Sequence, residues 1–372
     1  MNMMKRNFNA SVTRQLRSGF TLVEILVSLG VLSILLLVTA NVINQVQKTW
    51  SAASARVSQF REARVAMEVL SRNISQATLN TYIDYTGTEL GLVSTDTGRE
   101  GAPLSFERRS DLHFICGQAS SLITGGSSSV YPTHAVFFQA PLGVVQDVSY
   151  VGLNRLLCGR GYFIQNSDDD AFRPPFVKSA RVRYRLMEFS PPAEQDLIYA
   201  VVPPGAQDAA REGAIRAWFK DAGGDMSKGE TETNRSVTRP VADNIVALVI
   251  SPRWDTLSAA AVGEDELAIA PGYSFDSASL GTGNQKSAQR TRHLLPPVLR
   301  VALVAIDEKS ADRLGSEGRL NSVIDDAVQN KFTSANSMDQ DLQAVADSLN
   351  ESRVNFRVFV TTIPLLGSKW GM

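Results

Sequence analysis

The chain is poor in the residues that fixed-site chemistry needs. It has three histidines, His113, His134 and His293, dispersed along its length and without the His-Glu-x-x-His spacing of a zinc hydrolase. It has no Gly-x-Ser-x-Gly nucleophile elbow and no Walker A loop, and Gly281-Thr282-Gly283 lacks the third glycine of a dinucleotide fingerprint. These absences argue against an enzyme, a catalytic metal or a bound cofactor. His113, inside a predicted strand, and His134, just after Pro132, read as structural. Asp168-Asp169-Asp170 could offer oxygens to calcium, but the EF-hand spacing and its twelfth-position Glu are missing, so a solvated turn is the simpler reading.

A bias of charge is also missing. Lys and Arg total 37 against 38 acids. Removing a basic leader with Lys5, Arg6, Arg14 and Arg17 leaves 33 against 38, so nothing global favours nucleic acid. Arg181, Arg183 and Arg185 alternate with Val182, Tyr184 and Leu186, and they read as one solvated face of a strand.

Only two cysteines occur, Cys116 and Cys158. A bond between them would close about 43 residues and contribute on the order of 4 kcal/mol in the chain-entropy estimate. Both lie in apolar runs, Leu112–Cys116 and Leu153–Cys158, so two buried free thiols are the equal alternative.

Proline is absent from Phe20 to Leu79, and there the dominant feature stands. Phe20 to Ile43 holds one charge, Glu24, and a helix of this length covers roughly 36 Å, enough to cross a bilayer. The leader before it, residues 1–19, is basic and free of acids, which the positive-inside rule keeps in the cytoplasm. An ionised acid inside a bilayer costs about 2.5 to 3.5 kcal/mol, so Glu24 needs a partner. A cut after Gly19 would free an α-amine on Phe20 and create that partner.

Gly19-Phe20-Thr21-Leu22-Val23-Glu24, preceded by the basic leader and followed by the apolar run, resembles the processing motif of the type IV prepilin family. The resemblance implies that a membrane prepilin peptidase cuts after Gly19 and methylates the new terminus at Phe20. It also implies that Glu24 aids recruitment into a helical filament by neutralising a neighbouring subunit's amine. An ordinary signal anchor, with Thr21 and Glu24 forming only a capping box, is the bland alternative.

Past Ile43, residues Val42, Val46, Trp50, Ala53, Val57, Phe60, Ala63, Met67, Leu70, Ile74 and Ala77 recur at gaps of three and four, one apolar stripe of a continuing helix. Beyond Tyr85 come short β-branched and aromatic runs. Predicted strands are Leu112–Cys116, Ala135–Gln139, Tyr162–Gln165, Arg181–Phe189, Leu197–Val201, Ile245–Ser251, Val298–Ile306 and Val354–Ile363. Predicted helices are Ala210–Lys220 and Gln340–Glu351, and Ser120–Ser129, Ala222–Asn234 and Asp255–Arg292 read as long loops.

The expected fold is α+β: a long N-terminal membrane-spanning helix packed on a mainly antiparallel, pilin-like β head. The expected divisions are a leader at 1–19, a membrane or filament-core helix at 20–43, its amphipathic continuation at 44–79, and a head at 80–372. Ala77-Thr78-Leu79-Asn80-Thr81-Tyr82, Pro297-Val298-Leu299-Arg300-Val301, and Thr361-Thr362-Ile363-Pro364-Leu365 with Lys369-Trp370 are similar to a prepilin-like family called Verru_Chthon cassette protein C.

The resemblance implies a minor pilin or J-type pseudopilin of a type IV pilus or type II secretion pseudopilus. Thr39 to Asn44 lacks the proline that major pilins often carry. Implied partners are prepilin peptidase, other pilin or pseudopilin subunits, the inner-membrane assembly platform and the lipid bilayer. The implied location is a single pass through the inner membrane, with a cytoplasmic N-terminus and a head in the periplasm or on an extracellular filament. The alternative function is a membrane-anchored extracytoplasmic binding module that recognises a secreted substrate, a surface or DNA and does not assemble.

Overall fold

The computed structural model describes residues 21–86, 105–153, 155–169, 173, 176, 180–196, 217–223, 237–256, 259, 268–279 and 292–368. The chain divides into two compact units, Met1–Val57 and Ser58–Met372. The helix α1 runs Leu22–Ser75, as a stretch without proline permits. It starts on Thr21, whose carbonyl accepts from Glu24 and Ile25.

Within the second unit, the last turns of α1 bury Ala63, Ala66, Met67, Leu70 and Ile74, and Ala77 just past its end is buried as well. That is the predicted stripe from residue 60 onward. Upstream, Val42, Val46 and Trp50 of the same predicted stripe are exposed, at 54%, 59% and 76%. The stripe is therefore a packing face only where a sheet exists to receive it.

The receiving surface is a six-stranded antiparallel sheet. After β1 (Tyr82–Thr86) and β2 (Ser105–Arg109), which pair with each other, come β3 (Ile115–Gln118), the short helix α2 (Ala119–Leu122), β4 (His134–Ala140), β5 (Cys158–Ser167), β6 (Arg183–Phe189) and β7 (Thr238–Asp243). With the two-residue β9 (Phe275–Asp276) the order is β7-β6-β5-β4-β3-β9. Alternation splits the side chains between two faces. Val136, Phe138, Tyr162, Ile164, Tyr184 and Leu186 join Leu70 and Ile74 of α1 in one core. Phe137, Phe163, Met187 and Phe189 face the other way into a second core with Trp218 and Phe219. Gly161 is required there, because a Cβ would stand 2.2 Å from the ring of Phe137.

The second sheet has three strands, β8 (Ile245–Arg253), β10 (Val298–Ile306) and β11 (Phe356–Pro364), with β10 central. Ile245 to Ile250 are all buried, and so is β10 from Val301 to Ile306. Such runs are hydrophobic without alternation because both faces are covered. The covering helices α3 (Glu308–Ser316), α4 (Leu320–Val328) and α5 (Met338–Glu351) bury apolar residues into the same core, Ala311 and Leu314, Ile324 and Ala327, and Val345 and Leu349 among them. Asp307 caps α3 by accepting from the Ser310 amide at 2.9 Å.

The α+β class and the mainly antiparallel sheets agree with expectation, and five predicted strands fall on β4, β5, β6, β8 and β10. The predicted Val354–Ile363 appears as β11, and Gln340–Glu351 as α5. Leu112–Cys116 is shifted: the ladder starts at Ile115, because side chains of Asn80, Gln139 and Ser277 hold the amides of Leu112, His113 and Phe114. Leu197–Val201 lies outside the described residues, as do most of Ala210–Lys220 and of the loops Ala222–Asn234 and Asp255–Arg292.

The solvated arginine face is corrected. Arg183 and Arg185 are buried at 4% and 5% exposure, while Arg181 stays exposed. Arg183 pairs with Glu308 and Asp312 of α3, and Arg185 pairs with Asp243 at 3.1 Å. Carboxylates far along the chain neutralise these cations, which is what burial of a guanidinium demands.

Candidate functional site: the exposed N-terminal helix

The first part of α1 is apolar around its whole circumference. Leu35, Leu36 and Leu37, three successive positions pointing in three directions, are 57%, 62% and 65% exposed. The most apolar stretch of Leu22–Trp50 has a mean hydropathy of 2.6 and none of it is buried, and the span's length and composition suffice to cross a membrane. This window extends seven residues beyond the expected end at Ile43.

Four of its hydroxyls are satisfied internally. The hydroxyls of Ser28, Ser33, Thr39 and Thr49 donate to the carbonyls of Glu24, Leu29, Leu35 and Gln45, at 2.7 to 2.9 Å. A hydroxyl bonded back to its own helix asks nothing of the surroundings, so the segment can leave water at little cost.

Glu24 is the one charge of the apolar run from Leu22 to Ile43. Its amide donates to Thr21 Oγ1 at 3.3 Å, one half of a capping box. Its exposed carboxylate has no partner among the described residues, so the reciprocal half does not form there. A carboxylate in the first turn suits the positive end of the helix dipole, but that interaction is worth only about 0.3 to 1 kcal/mol. Gly19 and Phe20 lie outside the described residues.

The sequence of this segment matches the model of the prokaryotic N-terminal methylation motif over residues 14–40. This N-terminal segment is prepilin-like. The match spans Gly19, Phe20 and Glu24 and ends inside the apolar helix. No curated protein and no solved structure matches the chain. An apolar N-terminal helix with this motif fits a membrane-anchored, single-pass prepilin-like protein, and the motif implies processing by prepilin peptidase and assembly with other pilins.

The other candidate residues fall elsewhere. His134 Nδ1 accepts from the Ile250 amide at 3.1 Å, its ring is fully buried, and burial lowers its pKa to about 4. His113 Nε2 lies 2.7 Å from Asp276. His293 is also buried, and desolvation together with Arg292, Arg109 and Arg108 lowers its pKa to about 4. His134 and His113 hold strands in place. Among the described residues no group of three potential ligands could hold a metal ion. The Asp169 carboxylate accepts from the Arg181 amide at 2.8 Å and pairs with Arg173.

Cys116 and Cys158 are free and buried in the structure. Cys116 sits opposite Val136 of β4, whereas Cys158 sits opposite Ala140 on the far side of that strand. Two strand spacings and four residues put their Cα atoms roughly 16 Å apart, beyond the reach of a disulfide. Burial raises both thiol pKa values.

A buried polar cluster escaped the sequence reading. Asn73 of α1 donates to Tyr162 Oη at 2.7 Å, and that hydroxyl donates to Glu188 at 2.6 Å. Arg160 stands 3.9 Å from the same carboxylate. An asparagine beside Ile74, within an otherwise apolar face, was the available signal. The cluster pins the register of the helix on the six-stranded sheet, since a shift of one turn would leave these groups unpaired.

Proposed function

We propose that the chain is a minor pilin or pseudopilin. Prepilin peptidase cuts it after Gly19 and methylates Phe20, and its helix then enters a type IV pilus or a type II secretion pseudopilus. It is a structural subunit rather than an enzyme. The observation that supports this reading is Glu24, an acid without a partner among the described residues, in the first turn of a helix whose Leu22–Trp50 stretch is apolar and exposed on every side.

Lipid covers the apolar surface before assembly and neighbouring helices cover it afterwards. The carboxylate costs about 2.5 to 3.5 kcal/mol in lipid, and a neighbouring subunit's terminal amine removes that penalty. The N-terminus is cytoplasmic and the head periplasmic, with the assembly platform of the inner membrane as a further partner. A head running from residue 80 to residue 372 is bulky for a subunit repeating at close spacing, which favours a tip or initiating position.

Intact mass and N-terminal sequence of the protein from its native membranes test this first. The expected species starts at N-methylated Phe20, and a start at Met1 overturns the reading. Glu24→Ala should be cleaved as the parent is, yet fail to appear in sheared filaments. Normal incorporation of this variant would remove the amine-neutralising role.

A further inference from the structure

The two outer strands of the three-stranded sheet end in opposite ways. In β8, Ser251, Val249 and Ala247 lie opposite Arg300, Ala302 and Val304 of β10, and the residues between them turn their main chains outward. Those outward amides are closed: Leu248 donates to Thr133 Oγ1 at 3.0 Å and Ile250 to His134 Nδ1 at 3.1 Å. The next outward position is Pro252, which has no amide hydrogen. In the six-stranded sheet, edge strand β7 carries Pro240 and edge strand β9 is two residues long. Each of these edges is blunted, as natural sheets blunt theirs.

Strand β11 is not. The bonds Leu365 N–H to Pro297 and Asp307 N–H to Asn355 bracket its ladder with β10, at 3.0 and 2.9 Å. Between them Ile363, Thr361, Phe359 and Arg357 direct their main chains at β10, through Leu299, Val301, Leu303 and Ala305. The main chains of Phe356, Val358, Val360 and Thr362 therefore face away from the sheet, and no strand pairs with them among the described residues. Val360 is 47% exposed and Thr362 is exposed. From Val358 to Ile363 the strand has no charge, and only Pro364, at its very end, lacks a donor.

We infer that a second copy of this chain adds to this edge, β11 against β11 of its partner in antiparallel register about Val360. That register is self-complementary, as a two-fold interface requires. Val360 faces its own counterpart, Val358 faces Thr362, and about six main-chain bonds form across the axis. Arg357 comes opposite Ile363, leaving the two Arg357 side chains roughly 20 Å apart, where salt screens them. Pro364 falls at the end of the new ladder, where its missing amide costs least. The uncharged edge offers nothing that would select an acidic or basic partner strand. The result is one continuous sheet of six strands, three from each copy. The proposal uses the head alone and does not depend on the assembly role given to Glu24.

One strand pair buries less than the ~1,200 Å² of a stable complex, so the association is concentration-dependent and is best trapped covalently. In this register the two Val360 Cα atoms are about 5.5 Å apart, inside the range of a disulfide. The full-length protein carrying Val360→Cys, in membranes and in detergent, is oxidised mildly beside Arg357→Cys. The native thiols are buried and serve as the background.

The expected result is a disulfide-linked dimer of the chain at Val360→Cys, roughly tenfold above Arg357→Cys, given the separations of the two pairs. Adding Thr362→Pro should abolish it with the melting temperature unchanged, because among the described residues that amide makes no bond. Equal cross-linking of the two cysteine variants would overturn the proposal. So would linkage of Val360→Cys to a different protein, or a Thr362→Pro variant that folds and still dimerises. Should Thr362→Pro fail to fold, the contrast between the two cysteine variants decides.

Discussion

Two stretches of α1 are both rich in apolar residues and have opposite fates. From Leu22 to Trp50 the apolar side chains surround the axis and stay exposed; from Ala63 to Ala77 a single stripe, Ala63, Met67, Leu70, Ile74 and Ala77, is buried while Val65, off it, stays exposed. The difference lies in what each stretch leaves polar. The upper stretch has only Glu24 and Lys48 as charges, whereas the lower sets Arg64, Glu68 and Arg72 off its stripe. A helix that is apolar all round is matched to lipid or to other helices, and a striped one is matched to a sheet. Hydrophobicity measures the gain on leaving water, and periodicity says what receives the side chain.

The sharpest way to break this comparison is to make one substitution in both stretches. Leu70→Ala empties a fully buried site and should destabilise the head by about 2 to 5 kcal/mol. Leu35→Ala, at a position 57% exposed, should leave the thermal unfolding of the head unchanged. Equal shifts in melting temperature would show that the two stretches are not distinct environments.

Acid should separate them next, because the buried histidines belong to the head. The neutral ring of His134 is the folded form, with its pKa lowered to about 4 against 6.5 for an ordinary histidine. The unfolded chain therefore binds the proton first. Stability is fully present above pH 6.5 and is lost as pH falls toward 4, by on the order of 3 kcal/mol for this one group. Melting curves between pH 7 and pH 4.5 measure the slope. His134→Gln keeps an acceptor for Ile250 and cannot titrate, so it should flatten that slope; an unchanged slope would assign the effect to other groups.

The smallest effect sharpens the lower stretch. Asn73→Ala leaves Tyr162 and Glu188 bonded to each other but removes the tie to the helix, at a cost of about 1 to 2 kcal/mol. In the double variant Asn73→Ala and Tyr162→Phe the losses should sum to less than their separate values, because the two groups share a bond. Strict additivity would mean that they act independently.

Legibility varied with how far apart the deciding residues lie. Strand β10 was bounded to the residue, Val298–Ile306, since a run of Val, Leu, Ala and Ile between Pro297 and Asp307 carries both its pattern and its limits. Helices α3 and α4 were missed, being nine residues each and rich in Ser and Asp, with too few turns for a period to show. Arg183 was misread as solvated because Glu308 and Asp312 stand more than 120 positions downstream, and Arg185 because Asp243 stands 58 positions on.

The sequence by itself determined the prepilin-like N-terminus, the length and lipophilicity of its helix, the place of its one acid, and the α+β class. All of these are written within a few turns or strands of contiguous chain, where spacing translates directly into geometry. Only the tertiary structure decided that Arg183 and Arg185 are buried, that Cys116 and Cys158 stand apart, and that β8 is closed by Thr133 and His134 while no strand among the described residues pairs with the outer edge of β11. Each of those depends on which distant strand or helix arrives beside a residue, and strand order leaves no trace in local periodicity.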